Sequence, residues 1–209
     1  MTAGILPDRD IRALFDAGSI RARRPLDADQ VQPASLDLRL GPKAYRVRAS
    51  FLPGPGQAVA GKLARFSMHE VDLSAGAVLE TGCVYVVPLL EELALPGDVR
   101  ASANPKSSTG RLDIFTRVLT DGAREFDKIP AGYAGPLFIE ISPRTFPVVA
   151  REGSRLSQIR FRRGEVSLDA GELAVLHAAE KLTDAPDSHI SGNGIALSID
   201  LMGENEGLV

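Results

Sequence analysis

With 209 residues, and 24 Lys and Arg against 27 Asp and Glu, the chain is long enough for one generous domain. Its net charge of −3 leaves no surplus of cations to hold nucleic acid or an anionic membrane in bulk. A single cysteine, Cys83, excludes an internal disulfide and suits a reducing cytoplasm. Asp8, Arg9, Asp10, Arg12 and Asp16 interrupt the N-terminal stretch, and no later run reaches the length of a membrane span, so a soluble protein is expected.

The chain opens on a helix signal. Asp8 after Pro7 is placed as an N-cap, Ile11, Leu14 and Phe15 fall on one face, and Gly18 is placed to end the helix. A short amphipathic helix of this kind serves packing. Beyond Arg21, Arg23 and Arg24, Leu36, Leu38 and Leu40 alternate with Asp37 and Arg39, the period of a half-buried strand closed by Gly41-Pro42. Residues 53–61 hold two prolines and three glycines and read as a loop.

Short strand-like runs then follow one another between turn signals: Val71–Leu73, the strongly apolar Cys83–Leu90, Val99–Ala103, Leu112–Leu119, Pro136–Ile141, Phe146–Val149 and Leu156–Phe161. Many short strands and one clear helix predict an all-β sandwich or barrel. Further on, Ala174–Leu182 fits a short helix and residues 184–193 are polar and loop-like. Ser198-Ile199-Asp200-Leu201 echoes Ser35-Leu36-Asp37-Leu38. Taken as a repeat, the echo divides the chain into a domain over 1–165 and, over 166–209, a linker with the start of a second, truncated copy.

Two places carry chemistry. Pro105-Lys106-Ser107-Ser108-Thr109-Gly110-Arg111 sets two cations, three hydroxyls and a glycine between two β-like runs. It reads as a poor strand, a poor helix and a good anion site: the N–H groups of a tight turn converge on phosphate oxygens, Lys106 adds a point charge and Arg111 a planar fork of donors. A solvated surface turn has the same composition. The second place is Glu140, the lone charge in the run 136–141. A carboxylate set among apolar walls suits general acid–base work, although an outward-facing strand glutamate shows the same pattern.

Four motifs occur in order over roughly residues 5–162. They are Ser35-Leu36-Asp37-Leu38-Arg39-Leu40-Gly41, then Lys106-Ser107-Ser108-Thr109-Gly110-Arg111, then Ile129-Pro130-Ala131-Gly132-Tyr133-Ala134-Gly135 with Glu140 five residues on, and Gln158-Ile159-Arg160-Phe161. Together they resemble the dCTP deaminase branch of the dUTPase-like superfamily. The resemblance implies a distorted β-barrel of the dUTPase-like (β-clip) type, with a short N-terminal helix and few others. It also implies a trimer, or a pseudo-trimer of repeats, with active sites between subunits or repeats. The implied reaction is hydrolytic deamination of dCTP to dUTP and ammonia, the nucleotide arriving with Mg²⁺ on its triphosphate.

In that pattern Glu140 is the general base, Ser107 helps hold the water, and Arg111 orients the site and supports charge as it builds. Lys106 and Ser108 face the triphosphate, Tyr133 packs against the deoxyribose and Gln158 lies near the nucleotide. No zinc is implied. With Cys83, His69, His177 and His189 alone, the chain cannot assemble the His/Cys ligand set by which zinc deaminases activate water.

The chain departs from the pattern twice. Pro130 stands where dUTPases carry the aspartate that contacts the sugar and activates water, and proline offers no acceptor side chain. Asp121 and Asp127, in a longer preceding loop, are the carboxylates available to replace it. Between Gly164 and Val209 there is also no tail with the Tyr, Lys and Gln that close over the triphosphate in single-domain members. A dUTP diphosphatase, a bifunctional deaminase and diphosphatase, and a non-catalytic nucleotide-binding trimer are the alternative readings.

Overall fold

In the computed structural model, residues 3–165, 167–184 and 189–197 are described. The chain divides into two compact units, Met1–Gly164 and Glu165–Val209. The first begins with β1 (Gly4–Ile5), α1 (Asp8–Asp16), β2 (Ile20–Ala22), β3 (Val31–Gln32), β4 (Ser35–Arg39) and β5 (Lys43–Val47). It continues through α2 (Val59–Phe66), β6 (Ser67–Asp72), β7 (Ala77–Leu79), β8 (Val84–Ala94), β9 (Val99–Pro105) and α3 (Ser107–Arg111). It closes with β10 (Ile114–Thr120), β11 (Lys128–Ile129), β12 (Ala134–Pro143), β13 (Val148–Ala150) and β14 (Arg155–Arg163).

α1 buries Ile11 and Leu14, as their spacing predicts. The cap is Pro7 rather than Asp8: Asp8 is the first helical residue, where with Asp10 its charge suits the helix N-terminus. Gly18 follows the C-cap Ala17 at φ 70° and donates its N–H to the Phe15 carbonyl.

The expected all-β architecture takes the form of two antiparallel sheets. One runs β11-β9-β14-β4-β3 with β1 on β14; the other runs β10-β12-β8-β5-β6 with β2 on β8. A single bridge, Leu40 to Leu89, links the two ladders, so among the described residues they do not close into one hydrogen-bonded ring. Gly41 makes the junction possible. Its N–H donates to the Pro88 carbonyl, and a Cβ there would lie 2.6 Å from that oxygen.

Alternation along the strands builds two apolar layers. Leu36, Leu38, Leu40, Ala101, Ala103, Ile159 and Phe161 meet Tyr85, Val87, Leu89, Leu137, Ile139 and Ile141 in the main core between the sheets. The other face of the second sheet buries Val47, Val86, Leu119 and Phe138 under Phe51 and the α2 residues Val59 and Leu63. A register shift between Pro136 and Phe138 marks a bulge in β12, beyond which its residues alternate strictly between the two layers.

Several expectations need correction. β4 is buried on both faces, because Asp37 and Arg39 are covered as fully as its leucines. The loop read over 53–61 gives way at Val59 to α2, whose Val59 and Leu63 are one turn apart and buried; its glycine and the preceding prolines mask the helix in the sequence. The stretch 105–111, read as a poor helix, holds the helical turn α3.

The second unit contains α4 (Ala170–Glu180), opened by a capping box between Asp169 and Glu172 four residues before the expected start. It also contains a hairpin of β15 (His189–Ser191), inside the stretch 184–193 read as loop, and β16 (Gly194–Ala196), just beyond it. The Ser198 echo lies outside the described residues. No helix among the described residues is long and apolar enough to cross a membrane.

Candidate active site

Glu140 sits in the middle of β12, on the same side as Phe138, and so points into the layer beneath α2 rather than into the main core. It is 2% exposed. Across the ladder its register partners are Arg117 on β10 and Val86 on β8. Glu140 Oε1 accepts two hydrogen bonds from Arg117, from Nη2 at 2.6 Å and from Nε at 3.2 Å. Oε2 is buried with no hydrogen-bond partner among the described residues.

Arg117 is itself held on several sides. Its guanidinium lies 3.7 Å from the Phe126 ring centroid and 4.9 Å from that of Phe115, and Nη2 also donates to Ser50 Oγ at 2.8 Å. The Glu140 carboxylate is therefore buried, while the Arg117 side chain, 27% exposed, is flanked by the two rings and by Ser50.

Asp127 belongs to the same group. It adopts φ 62°, its Oδ1 accepts the Val118 N–H at 2.7 Å, and its own N–H and carbonyl bond to Val118 and Ala103. Burial pushes its carboxyl above the ordinary value, against the opposite pull of the Val118 N–H and of the Arg117 and Lys128 charges. The longer loop before Ile129 thus brings a second carboxylate beside Arg117.

The phosphate-like stretch lies in a different setting. Lys106 donates its backbone N–H to Leu156, and its Nζ is paired with Oδ2 of Asp37, a residue only 1% exposed. Arg155 approaches the same oxygen at 3.6 Å, while Asp37 Oδ1 is buried without a partner among the described residues. On α3, Thr109 is buried, whereas Ser107, Ser108 and Arg111 are exposed. α3 packs on β10. Gln158 is opposite Asp37 and Asn104 in register, and its Oε1 accepts from Ser35 Oγ at 3.0 Å.

Tyr133 spans the hairpin before β12. Its hydroxyl donates to the Pro136 carbonyl at 2.7 Å and accepts the Asp121 N–H at 3.2 Å, and burial pushes the phenol up to about 12. Pro130 is exposed at the start of the turn that Tyr133 closes.

The residues read from the sequence therefore fall into two groups. Glu140 and Asp127 gather around Arg117. Lys106 and Gln158 gather around Asp37. No hydrogen bond or ion pair among the described residues joins the two, and the exposed α3 side chains belong to neither. Arg117 and Asp37 are the residues that sequence reasoning missed as site members. Arg117 becomes visible only once β10 and β12 are paired with Ile114 opposite Pro143; Asp37, already part of a quoted motif, was read as the polar side of a strand.

A family model describing the N-terminal domain of 2′-deoxycytidine 5′-triphosphate deaminase matches residues 2–165. The chain belongs to the dCTP deaminase family. Among its relatives, a dCTP deaminase, dUMP-forming, from Beutenbergia cavernae is 33% identical over 165 residues, 76% of this chain and 79% of the relative. One of the same description from Pseudarthrobacter chlorophenolicus is 28% identical over 197 residues, 90% of this chain and 96% of the relative.

The crystal structure of 2′-deoxycytidine 5′-triphosphate deaminase from Agrobacterium tumefaciens superposes with a TM-score of 0.87 at 67% identity. That superposition covers 99% of this deaminase-family chain and 61% of the Agrobacterium one, so the chain spans about three fifths of that protein's length. The family resemblance carried by the sequence motifs is borne out.

Proposed function

We propose that this chain catalyses zinc-independent hydrolytic deamination of dCTP, with Glu140 as the general base. The observation that carries the reading is the buried Glu140 carboxylate, with one oxygen held by Arg117 and the other uncommitted, in a chain of the dCTP deaminase family. A water beside C4 of the cytosine loses a proton to Glu140 as the C4–O bond forms. Return of that proton to the amino nitrogen breaks the C4–N bond, the remaining hydroxyl proton passes to N3 as the C4 carbonyl forms, and dUTP and ammonia leave.

The remaining roles follow the family pattern. Ser107 and Arg111 are exposed on α3, away from any bond to Glu140, which favours their reaching the Glu140 of another copy or repeat. There Ser107 holds the water and Arg111 supports the charge that builds on the ring. The working site is then completed in a trimer or pseudo-trimer. The dCTP·Mg²⁺ substrate places its triphosphate against Ser108 and Lys106, the latter exchanging Asp37 for phosphate. Tyr133 flanks the deoxyribose and Gln158 the nucleotide. The single cysteine suits action in a reducing cytoplasm.

A second reading, further conversion to dUMP, is favoured by the description of the relatives as dUMP-forming and by Asp127 beside Arg117. Pro130 weighs against the dUTPase route. Incubation with dCTP and Mg²⁺, with ammonia, dUTP and dUMP followed together, separates the cases. Ammonia with dUTP supports deamination alone, dUMP supports the second reading, and saturable binding without ammonia indicates a nucleotide-binding protein. Glu140→Gln should lower ammonia release by roughly 10²–10⁴-fold, the scale of a lost general base, with folding intact by circular dichroism. A Gln variant as fast as the native protein would remove Glu140 from the mechanism.

A further inference from the structure

The two oxygens of Glu140 are not equivalent. An arginine facing a carboxylate usually spreads its parallel donors over both oxygens. Here Nη2 and Nε of Arg117 both bind Oε1, at 2.6 and 3.2 Å, and Oε2 takes neither. The surroundings enforce the asymmetry. The Phe126 ring, 3.7 Å from the guanidinium carbon, and the Phe115 ring, 4.9 Å away, set the plane of the fork, while Ser50 Oγ engages Nη2. Nor is the pair needed to hold the strands together, because β10 and β12 are already laddered from Ile114 opposite Pro143 to Thr120 opposite Leu137.

Resting on the deaminase reading above, we infer that Arg117 is a positioning residue: by occupying Oε1 it makes Oε2 the atom of Glu140 that takes the proton from water. The plane of the fork turns the remaining lone pairs toward the water. Lysine supplies the charge without the fork, so it leaves the choice of oxygen open.

The test measures kcat and KM for dCTP, by ammonia release, in the native protein and in Arg117→Ala, Arg117→Lys and Phe126→Leu. Misdirecting a general base should lower kcat of Arg117→Ala by about 100-fold with KM within about threefold, and Arg117→Lys should recover less than about a tenth of the loss. Added guanidinium ion should raise the rate of Arg117→Ala and leave Arg117→Lys unchanged. Full recovery in Arg117→Lys, or an Arg117→Ala kcat within about threefold of native, overturns the inference.

If Arg117→Ala does not fold, Phe126→Leu decides. It keeps the ion pair and frees its plane, and should cost about tenfold in kcat; an unchanged kcat overturns the positioning role. A native protein that releases no ammonia from dCTP overturns the deaminase reading and this inference with it. An active native protein with unimpaired variants overturns the inference alone.

Discussion

Glu140 is bonded to Arg117 and Asp127 only feels its charge, and the two carboxylates have different surroundings. Glu140 is buried and receives two donors of Arg117, whereas the Asp127 carboxylate has the Val118 N–H as its one bonded partner among the described residues, and burial pushes its carboxyl up. A raised value in the folded state means that the contribution of Asp127 to stability is complete below the ordinary carboxylate range and is lost as pH rises through the raised value. Asp127→Asn keeps an acceptor for Val118, tolerates the left-handed backbone and removes the charge. It should therefore be more stable than the native protein near neutral pH, with the advantage shrinking as the pH falls toward about 4, the ordinary aspartate range. Urea denaturation at the two pH values checks this, and an equal advantage at both would show that the charge is not the cause. At this scale Glu140 was legible because a lone charge in an apolar run is conspicuous. Arg117 was not, since its partner exists only through strand register.

Among the elements, β4 and β8 meet at a joint just after β4 where Gly41 comes close to the Pro88 backbone. A Cβ at Gly41 would meet the Pro88 carbonyl oxygen at 2.6 Å, and both atoms belong to backbone held by the adjoining bridge. Gly41→Ala should cost about 1–3 kcal/mol through forced displacement, read as a lower midpoint in thermal or urea unfolding. An unchanged midpoint would mean that the joint yields freely. The glycine was seen in the sequence as a strand terminator, and its closeness to Pro88 was not, because the distance arises between sheets. The same limit applies to α2, where Pro53, Gly54, Pro55 and Gly56 announce a loop while the helix that follows is anchored by a contact from Asp121 Oδ1 to the Val59 N–H.

On the scale of the first unit, one buried ion pair fastens the sheets to each other. Arg39 on β4 donates Nε to Glu91 Oε1 and its backbone N–H to Glu91 Oε2, each at 2.8 Å. Gln30 donates to the same Oε1, and the remaining guanidinium nitrogens reach the Arg24 and Pro25 carbonyls. Both charged side chains are almost wholly enclosed. Glu91→Gln leaves the Arg39 cation buried without its counter-charge and should cost about 3–5 kcal/mol, measured from the urea midpoint with an unchanged slope. A loss below about 1 kcal/mol would show that water or the nearby Asp27 compensates. Alternation had assigned Arg39 to a solvent face. The all-β plan was readable from punctuation and composition, but the number of strands was not, and which polar residues lie inside depends on what the 24–30 segment covers.

The bulge in β12 has a consequence for how this strand can vary over time. From Leu137 to Ile141, odd-numbered residues answer to the core between the sheets, and the even-numbered Phe138 and Glu140 to the other layer. Exchanges among Leu137, Ile139 and Ile141 disturb the core between the sheets, and exchanges at Phe138 and Glu140 disturb the layer that Arg117 shares. Neighbouring codons thus carry separate constraints, and one layer can drift without renegotiating the other.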